Sequence, residues 1–491
     1  MPLVIREILQ MNHNRLVVEL PITIGECLRC ISSNAAGMVF LTQDFKLIGA
    51  ISDGDVRRAL LDGVSIDDSA EAIVNRKVVT LSENSNPKEV HTAFSLGRKL
   101  VPLISSDRSI IKILKIDSHN LIPVSEPNLG YLETEYLNDA MKSGWISSAG
   151  NYVGMFESNF SNYIESSHAL AVANGTLGLV LALKMLEIGP GDEVLVPNLT
   201  FGATANAVVQ VGAVPVFVDV NRDDLCMDVS KLKNLITPKT RAIIPVHLYG
   251  YAADIINIVR IAKEFNLYVI EDAAEALGTK VSGKHVGTFG HIGVFSFFAN
   301  KLITTGEGGM LTFNDEKLLK KGKLIRSHGF SEANRYWHES WGTNLRITNI
   351  QAAIGCAQLE RIEELLSIKK ATAKKYRDLL SNMTPKHITF LVERPSTECS
   401  HWLNVIKTND RSVTKNLSTF LIQNQIETRP IFYPLNTQPA FRQFHSTGME
   451  YPQSFNAHEV GLCLPSSTLL TIDQIQRVCF QISRFFEKDF K

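Results

Sequence analysis

From residue 131 to about 365 the chain repeats one alternation, a short apolar run followed by a longer segment of helical character. HALAVA is followed by TLGLVLALKML, DEVLVP by TANAVVQVG, VPVFVDV stands next, RAIIPVHLYG leads into IINIVRIAKEF, and LYVIED follows. Strands alternating with helices in this way predict an α/β fold with a mainly parallel sheet between flanking helices. The remainder, 366–491, opens with a long charged helix, IKKATAKKYRDLL, and reads as a smaller α/β lobe.

A chain of 491 residues exceeds one ordinary domain, and residues 1–118 read differently from the rest. There GMVFLTQDFKLIGAISDGDVRRALL gives two β-rich runs around a polar turn and then an Arg-bearing helix beginning near Asp53 to Asp55. Residues 77–116 repeat the order with VVTL, helix NPKEVHTAFSLG (86–97), KLVPLISS and IIKILKI, which suggests a paired module. The stretch 119–130, rich in Pro, Ser, Asn and Gly, is expected to be a linker before a large domain at 131–365.

Lys plus Arg and Asp plus Glu both number 50, which gives no general attraction for nucleic acid or an anionic membrane. No apolar run approaches the roughly 20 residues of a spanning helix, the start MPLVIREILQMNHNR lacks the order of a signal peptide, and a cytoplasmic protein is expected. The seven cysteines are scattered, as suits a reducing compartment. Cys27 and Cys30 form a lone CxxC that reads as two neighbours on a helix face, and no metal is expected.

Ligands of open parallel sheets sit beyond the carboxyl ends of the strands, so polar residues just after a strand are the candidates. Three segments qualify. Asn174, Gly175 and Thr176 lie between a strand and a helix, where backbone N–H groups and the helix dipole suit a phosphate, or where a cap simply closes a turn. LYVIEDAAEALG ends an apolar strand on Glu271 and Asp272, with Glu275 one helical turn further on. A buried carboxylate there needs a positive or protonated partner, and helix capping by Asp272 is the alternative. FSFFANKLITTGEGGM sets Lys301 after an aromatic run, with Ser296 five residues earlier, so the lysine either reaches solvent or is held for chemistry. Phosphate cradle, strand-end carboxylate and lysine together meet the needs of pyridoxal phosphate: an anchored phosphate, a protonated ring nitrogen and an amine for the Schiff base.

With GWISSAGNYV, VANGT, PNLTFGATANAV, PVHLYG, IEDAAEALG, FSFFANKLITTGEGGM and LPSS in order, the chain from about Ile122 onward resembles the DegT/DnrJ/EryC1/StrS family. These are fold-type-I, pyridoxal-phosphate-dependent sugar aminotransferases. The resemblance implies that Lys301 is the Schiff-base lysine, Asp272 the partner of the ring nitrogen, Gly175, Thr176 and Ser296 phosphate contacts, and Phe201 a ring stacked on the cofactor. It places Glu275 beside them. It implies a homodimer or higher homo-oligomer in which GTNLR carries Asn344 to the neighbouring subunit's cofactor, and glutamate as the amino donor.

Within the group, RYWHESWGTNLRITNIQAAIGCAQLERIEE and ETRPIFYPLNTQPAF look most like members that aminate C4 of GDP-4-keto-6-deoxy-mannose. One departure is Asn436, where the family commonly has His after FYPx; a dTDP- or UDP-linked 4-keto sugar is the alternative substrate, and a non-catalytic, ligand-sensing regulator the alternative class. The first 118 residues resemble a cystathionine-β-synthase-type (CBS) pair, which binds adenine or related nucleotides. Ser52 and Asp55 match its ribose- and phosphate-holding Ser/Thr-x-x-Asp, and adenine and guanine nucleotides are the expected ligands; a purely structural or dimer-forming module is the other reading. Lys115 and Ser118 stand at the second site, so a single working site is expected.

Overall fold

The computed structural model describes residues 5–8, 16–34, 37–82, 85, 89, 92, 93, 100–116, 121–331, 334, 336–445 and 448–488. The chain divides into two compact units, Met1–Leu121 and Ile122–Lys491. In the first, strand Val17–Glu19 is parallel to Met38–Gln43 with helix Ile24–Asn34 between them, and Met38–Gln43 turns back antiparallel into Lys46–Ser52. The second half repeats this plan: Leu81–Ser82 is parallel to Leu100–Ile104, which turns back antiparallel into Ile110–Ile116. Phe40, Leu47 and Ala50 from one half and Leu100 and Ile113 from the other share an apolar cluster. Cys27 is buried beside Ile24 and Ile31, with Cys30 partly buried on the same helix. Most of the expected 86–97 helix, and Ser118, lie outside the described residues.

The second unit is built on a seven-stranded sheet in the order Val214–Val218, Glu193–Pro197, Thr240–Ile243, Tyr268–Asp272, Ile292–Ser296, Gly309–Phe313 and His168–Val172. Neighbours are parallel except Gly309–Phe313, which runs antiparallel to both its partners. Successive side chains of a strand point to opposite faces, and both faces are covered here. Leu195 belongs to one apolar cluster while Val194 and Val196 belong to another, and Phe295 and Val294 divide in the same way. This two-sided burial is why the strands read as unbroken apolar runs.

A smaller antiparallel sheet, in the order Ile388–Phe390, Asn404–Thr408, Gly461–Leu464 and Arg429–Pro430, packs with helices Ile362–Leu379, Arg411–Gln423 and Ile472–Lys488. The stretch expected as a linker is, from Ile122 onward, part of this unit. Ile122 is buried and bridges Ile426 in parallel, Val124 N–H donates to Glu427 at 2.8 Å, and the Val124 carbonyl accepts from Ser466 N–H at 2.7 Å. The composition of 119–130 signals turns, but Ile122 and Val124 supply apolar anchors that tie it down.

Candidate active site

The parallel strands all end at one edge of the large sheet, and a cavity of about 660 Å³ opens there. Gly175, Thr176, Phe201, Asp272, Glu275, Ser296 and Lys301 all line it. Helix Gly175–Met185 begins at this edge, with Asn174 as N-cap accepting from Leu177 N–H at 2.9 Å. The N–H groups of a helix's first turn have no carbonyl partner within the helix, so this end offers donors to the cavity. Gly175 is fitted closely against the next strand end: a Cβ there would lie 3.0 Å from Ser296 Cβ. A larger residue at 175 would push the Ser296 hydroxyl away from the helix terminus.

Asp272 and Glu271 are neighbours with opposite surroundings, because strand residues alternate faces. Glu271 is fully buried and accepts from the N–H groups of Gly287 at 2.8 Å, Phe289 at 2.7 Å and Gly290 at 2.6 Å. Its Oε2 also lies 3.1 Å from His247 Nε2. Since His247 Nδ1 accepts from Ala253 N–H at 3.1 Å, the proton is on Nε2 and is donated to Glu271. Glu271 therefore clamps the loop 287–290 and does not reach the cavity.

Asp272 does reach it. It is 5% exposed and accepts from the Thr204 hydroxyl at 2.8 Å and Ala274 N–H at 3.2 Å, both neutral donors. Burial pushes its carboxyl above the ordinary range, and these two bonds, followed by the charge of Lys301, pull in the other direction. No helix starts after Asp272, so it is not a cap. The segment 273–279 is a series of turns, with Ala276 N–H donating to Ala273 and Thr279 N–H to Ala276. The expected helical turn to Glu275 is thus a tight non-helical turn.

Glu275 Oε2 accepts from Tyr249 N–H at 3.0 Å, and Oε1 lies 3.6 Å from Lys301 Nζ. Burial raises the Glu275 carboxyl, opposed mainly by the charge of Lys301. The Lys301 amine is buried too, which lowers it against the opposing charges of Glu275 and Asp272. Its Nζ sits 3.9 Å from the centre of the Trp402 ring, a cation–π distance. The turn that carries the lysine is tightly bonded: Lys301 N–H donates to Phe298 at 2.9 Å and Phe297 N–H to Gly308 at 2.8 Å.

Phe201 is 61% exposed, its ring 6.0 Å from Phe432, which stacks in turn on Tyr249 at 5.5 Å. Tyr249 has a left-handed φ of 55° and Gly250 follows at 95°, where a Cβ would lie 2.6 Å from Trp402 N. Only a glycine lets this corner approach the Trp402 backbone so closely.

Sequence reasoning missed Thr204, Tyr249, Trp402 and Arg429 among the lining residues. Thr204, Tyr249 and Arg429 lie in segments it had singled out, PNLTFGATANAV, PVHLYG and ETRPIFYPLNTQPAF, whereas Trp402 lies in none of them. Asn344 does not line this chain's cavity; it is exposed, and its Oδ1 accepts from Arg346 Nε at 3.1 Å. Asn436 is paired with buried Asn198, its side-chain oxygen accepting at 2.9 Å and its N–H donating at 3.0 Å. Ser52 and Asp55 in the first unit form a reciprocal capping box on helix Asp53–Leu61, and Arg58 pairs with Asp55.

Solved structures similar to this chain are aminotransferases, one of them described in its PLP form. An aminotransferase from Psychrobacter cryohalolentis superposes with a TM-score of 0.72 at 30% identity, covering 74% of this chain and 99% of its own. Spr1654 of Streptococcus pneumoniae in its PLP form gives 0.71 at 28% identity, over 75% and 99%. Residues 127–483 match the DegT/DnrJ/EryC1/StrS aminotransferase family, and the chain belongs to that family. Curated relatives include the GDP-perosamine synthases of Vibrio cholerae, 42% identical over 74% of this chain and 99% of that one, and of Escherichia coli O157:H7, 42% identical over 74% and 98%. Among the described residues no helix is long and apolar enough to cross a membrane.

Proposed function

We propose that the unit 122–491 transfers an amino group from glutamate to the C4 ketone of GDP-4-keto-6-deoxy-mannose, forming GDP-perosamine. The carrying observation is the cavity in which Lys301 faces Glu275 and shares its walls with Asp272 and the helix terminus at Gly175. The 42% identity to GDP-perosamine synthases over nearly their whole length supports the substrate.

The residues fit pyridoxal phosphate. The N-terminus at Gly175 and Thr176 and the Ser296 hydroxyl suit a phosphate, and Phe201 offers an exposed ring to a flat ligand. Asp272, buried and hydrogen-bonded to two neutral donors, suits a protonated ring nitrogen. When bound, the cofactor supplies an electron sink for proton loss at the carbon beside nitrogen. Lys301 is the group that moves that proton. Burial favours its free base, and Glu275 and the Trp402 ring hold its amine in place.

Asn344 we assign to the cofactor site of a second copy of the chain, since it is exposed and away from its own cavity. Mixing the inactive variants Lys301→Ala and Asn344→Ala should restore activity once subunits exchange. Proven exchange without recovery would show that each site is built from one chain. For residues 1–118 we propose a CBS-type regulatory module with one nucleotide site at Ser52 and Asp55, where a ribose would compete with the capping box. The substrate reading is tested by assaying the purified protein, with glutamate, against GDP-, dTDP- and UDP-linked 4-keto-6-deoxy sugars. Preference for a dTDP or UDP sugar would overturn the GDP assignment.

A further inference from the structure

Lys369 lies mid-helix in Ile362–Leu379, 3% exposed, and has no carboxylate partner among the described residues. Its Nζ donates instead to two backbone carbonyls, that of Trp402 at 2.8 Å and that of Ser466. Each belongs to a segment behind the cavity wall. Trp402 lines the cavity, holds its ring 3.9 Å from Lys301 Nζ, and donates its Nε1–H to the Asn300 carbonyl at 2.8 Å. Ser466 Oγ accepts from Asn404 N–H at 2.9 Å and donates to the Leu464 carbonyl at 2.8 Å, and Ser466 N–H donates to Val124. A lysine at this depth is costly to the fold unless its donors are used, and here both bonds go to the backbone around Trp402.

We propose that Lys369 is a positioning residue for amine transfer: by tying the Trp402 carbonyl to the 464–466 loop, it fixes the indole against Lys301 and so fixes the reactive amine. It touches neither substrate nor cofactor and acts through Trp402. Burial lowers its amine to about 7. The tie is between the backbone of Trp402 and that of Ser466, so side-chain substitutions elsewhere in the cavity leave it intact. The inference rests on Lys301 being the reactive amine, and its test separates the two.

Cofactor-free wild type, Lys369→Met and Lys369→Arg would be exposed to limiting isotopic acetic anhydride, and labelling of Lys301 quantified by peptide mass spectrometry. Methionine keeps the length and removes the donors, whereas arginine keeps donors for both carbonyls. Lys369→Met should label Lys301 at least about threefold faster and, when reconstituted, lose about tenfold in kcat with KM nearly unchanged. Lys369→Arg should restore both. Should the methionine variant not fold, Lys369→Gln, whose NH2 sits one bond nearer the backbone and so short of the two carbonyls, is measured in its place. Wild-type labelling of Lys301 in Lys369→Met or Lys369→Gln, or an equal disturbance in Lys369→Arg, overturns the proposal. Wild type that transfers no amine while the labelling difference persists overturns the proposed reaction and leaves the positioning role standing.

Discussion

Asp55 in the first unit and Asp272 in the second are both carboxylates next to the end of a strand, and their hydrogen-bond accounts are opposite. Asp55 accepts from Ser52 N–H at 2.8 Å and the Ser52 hydroxyl at 2.6 Å, and pairs with Arg58. Burial raises its carboxyl, but these partners more than offset that and leave it below the ordinary range. Asp272 is more deeply buried, has two neutral donors, and ends up raised. The first account is closed and reads as helix stability. The second is open by one cation, which is what a carboxylate kept for a ligand looks like.

The sharpest test of the contrast starts with Lys301, whose charge acts on Asp272. Lys301→Ala should lower amine transfer by more than about a hundredfold while the far-ultraviolet spectrum and melting temperature stay close to wild type. A variant retaining more than about a hundredth of the rate would mean that another group moves the proton. Asp272→Asn should cost about tenfold to a hundredfold in kcat, with the melting temperature unchanged or higher, because the amide removes a charge that burial disfavours. Loss of stability without loss of rate would place Asp272 with Asp55.

Asp55→Ala should show the reverse. About 0.5–2 kcal/mol of stability should go with the capping box, as read by denaturant unfolding, while kcat is unchanged. Calorimetric titration of the same variant with adenine and guanine nucleotides should show a weakened site, and equal binding in variant and wild type would remove Asp55 from it.

The last contrast concerns Lys369. Its amine titrates near 7 when folded and near 10.5 when unfolded, so the unfolded chain binds more protons between those values and stability rises with pH across that window. Thermal melts from pH 6.5 to 9.5 should show this rise in wild type and a weaker one in Lys369→Met. Parallel curves would mean that the amine is not depressed.

How much of this was legible depends on how local each feature is. The strands of the large sheet were readable because burial on both faces makes each a continuous apolar run. Gly175, Asp272, Ser296 and Lys301 were readable because each lies at or shortly after the end of a strand. Trp402 was not: it reaches the cavity from just before Asn404–Thr408 of the smaller sheet, at a position no local periodicity marks. Strand-end position alone does not separate Glu271 from Asp272, and only the resemblance chose between them, since what separates them is the face each occupies and the loop 287–290 that satisfies only one. The capping box of Ser52 and Asp55 is a local motif equally consistent with a helix start and with a nucleotide site, and spacing alone does not choose.

The one antiparallel strand of the large sheet bears on the order of assembly. Gly309–Phe313 returns directly beside Ile292–Ser296, pairing Ser296 with Gly309 across a short connection that contains Lys301. Its other partner, His168–Val172, is far away in sequence. A short loop closes at lower entropic cost than a long one, so the lysine turn should form as a hairpin early in folding, before the glycine-started helix arrives beside it. In pulsed hydrogen exchange during refolding, amides of 294–296 and 309–311 facing each other should gain protection ahead of those of 169–172. The amine end of the site would then be the template onto which its phosphate end is later docked.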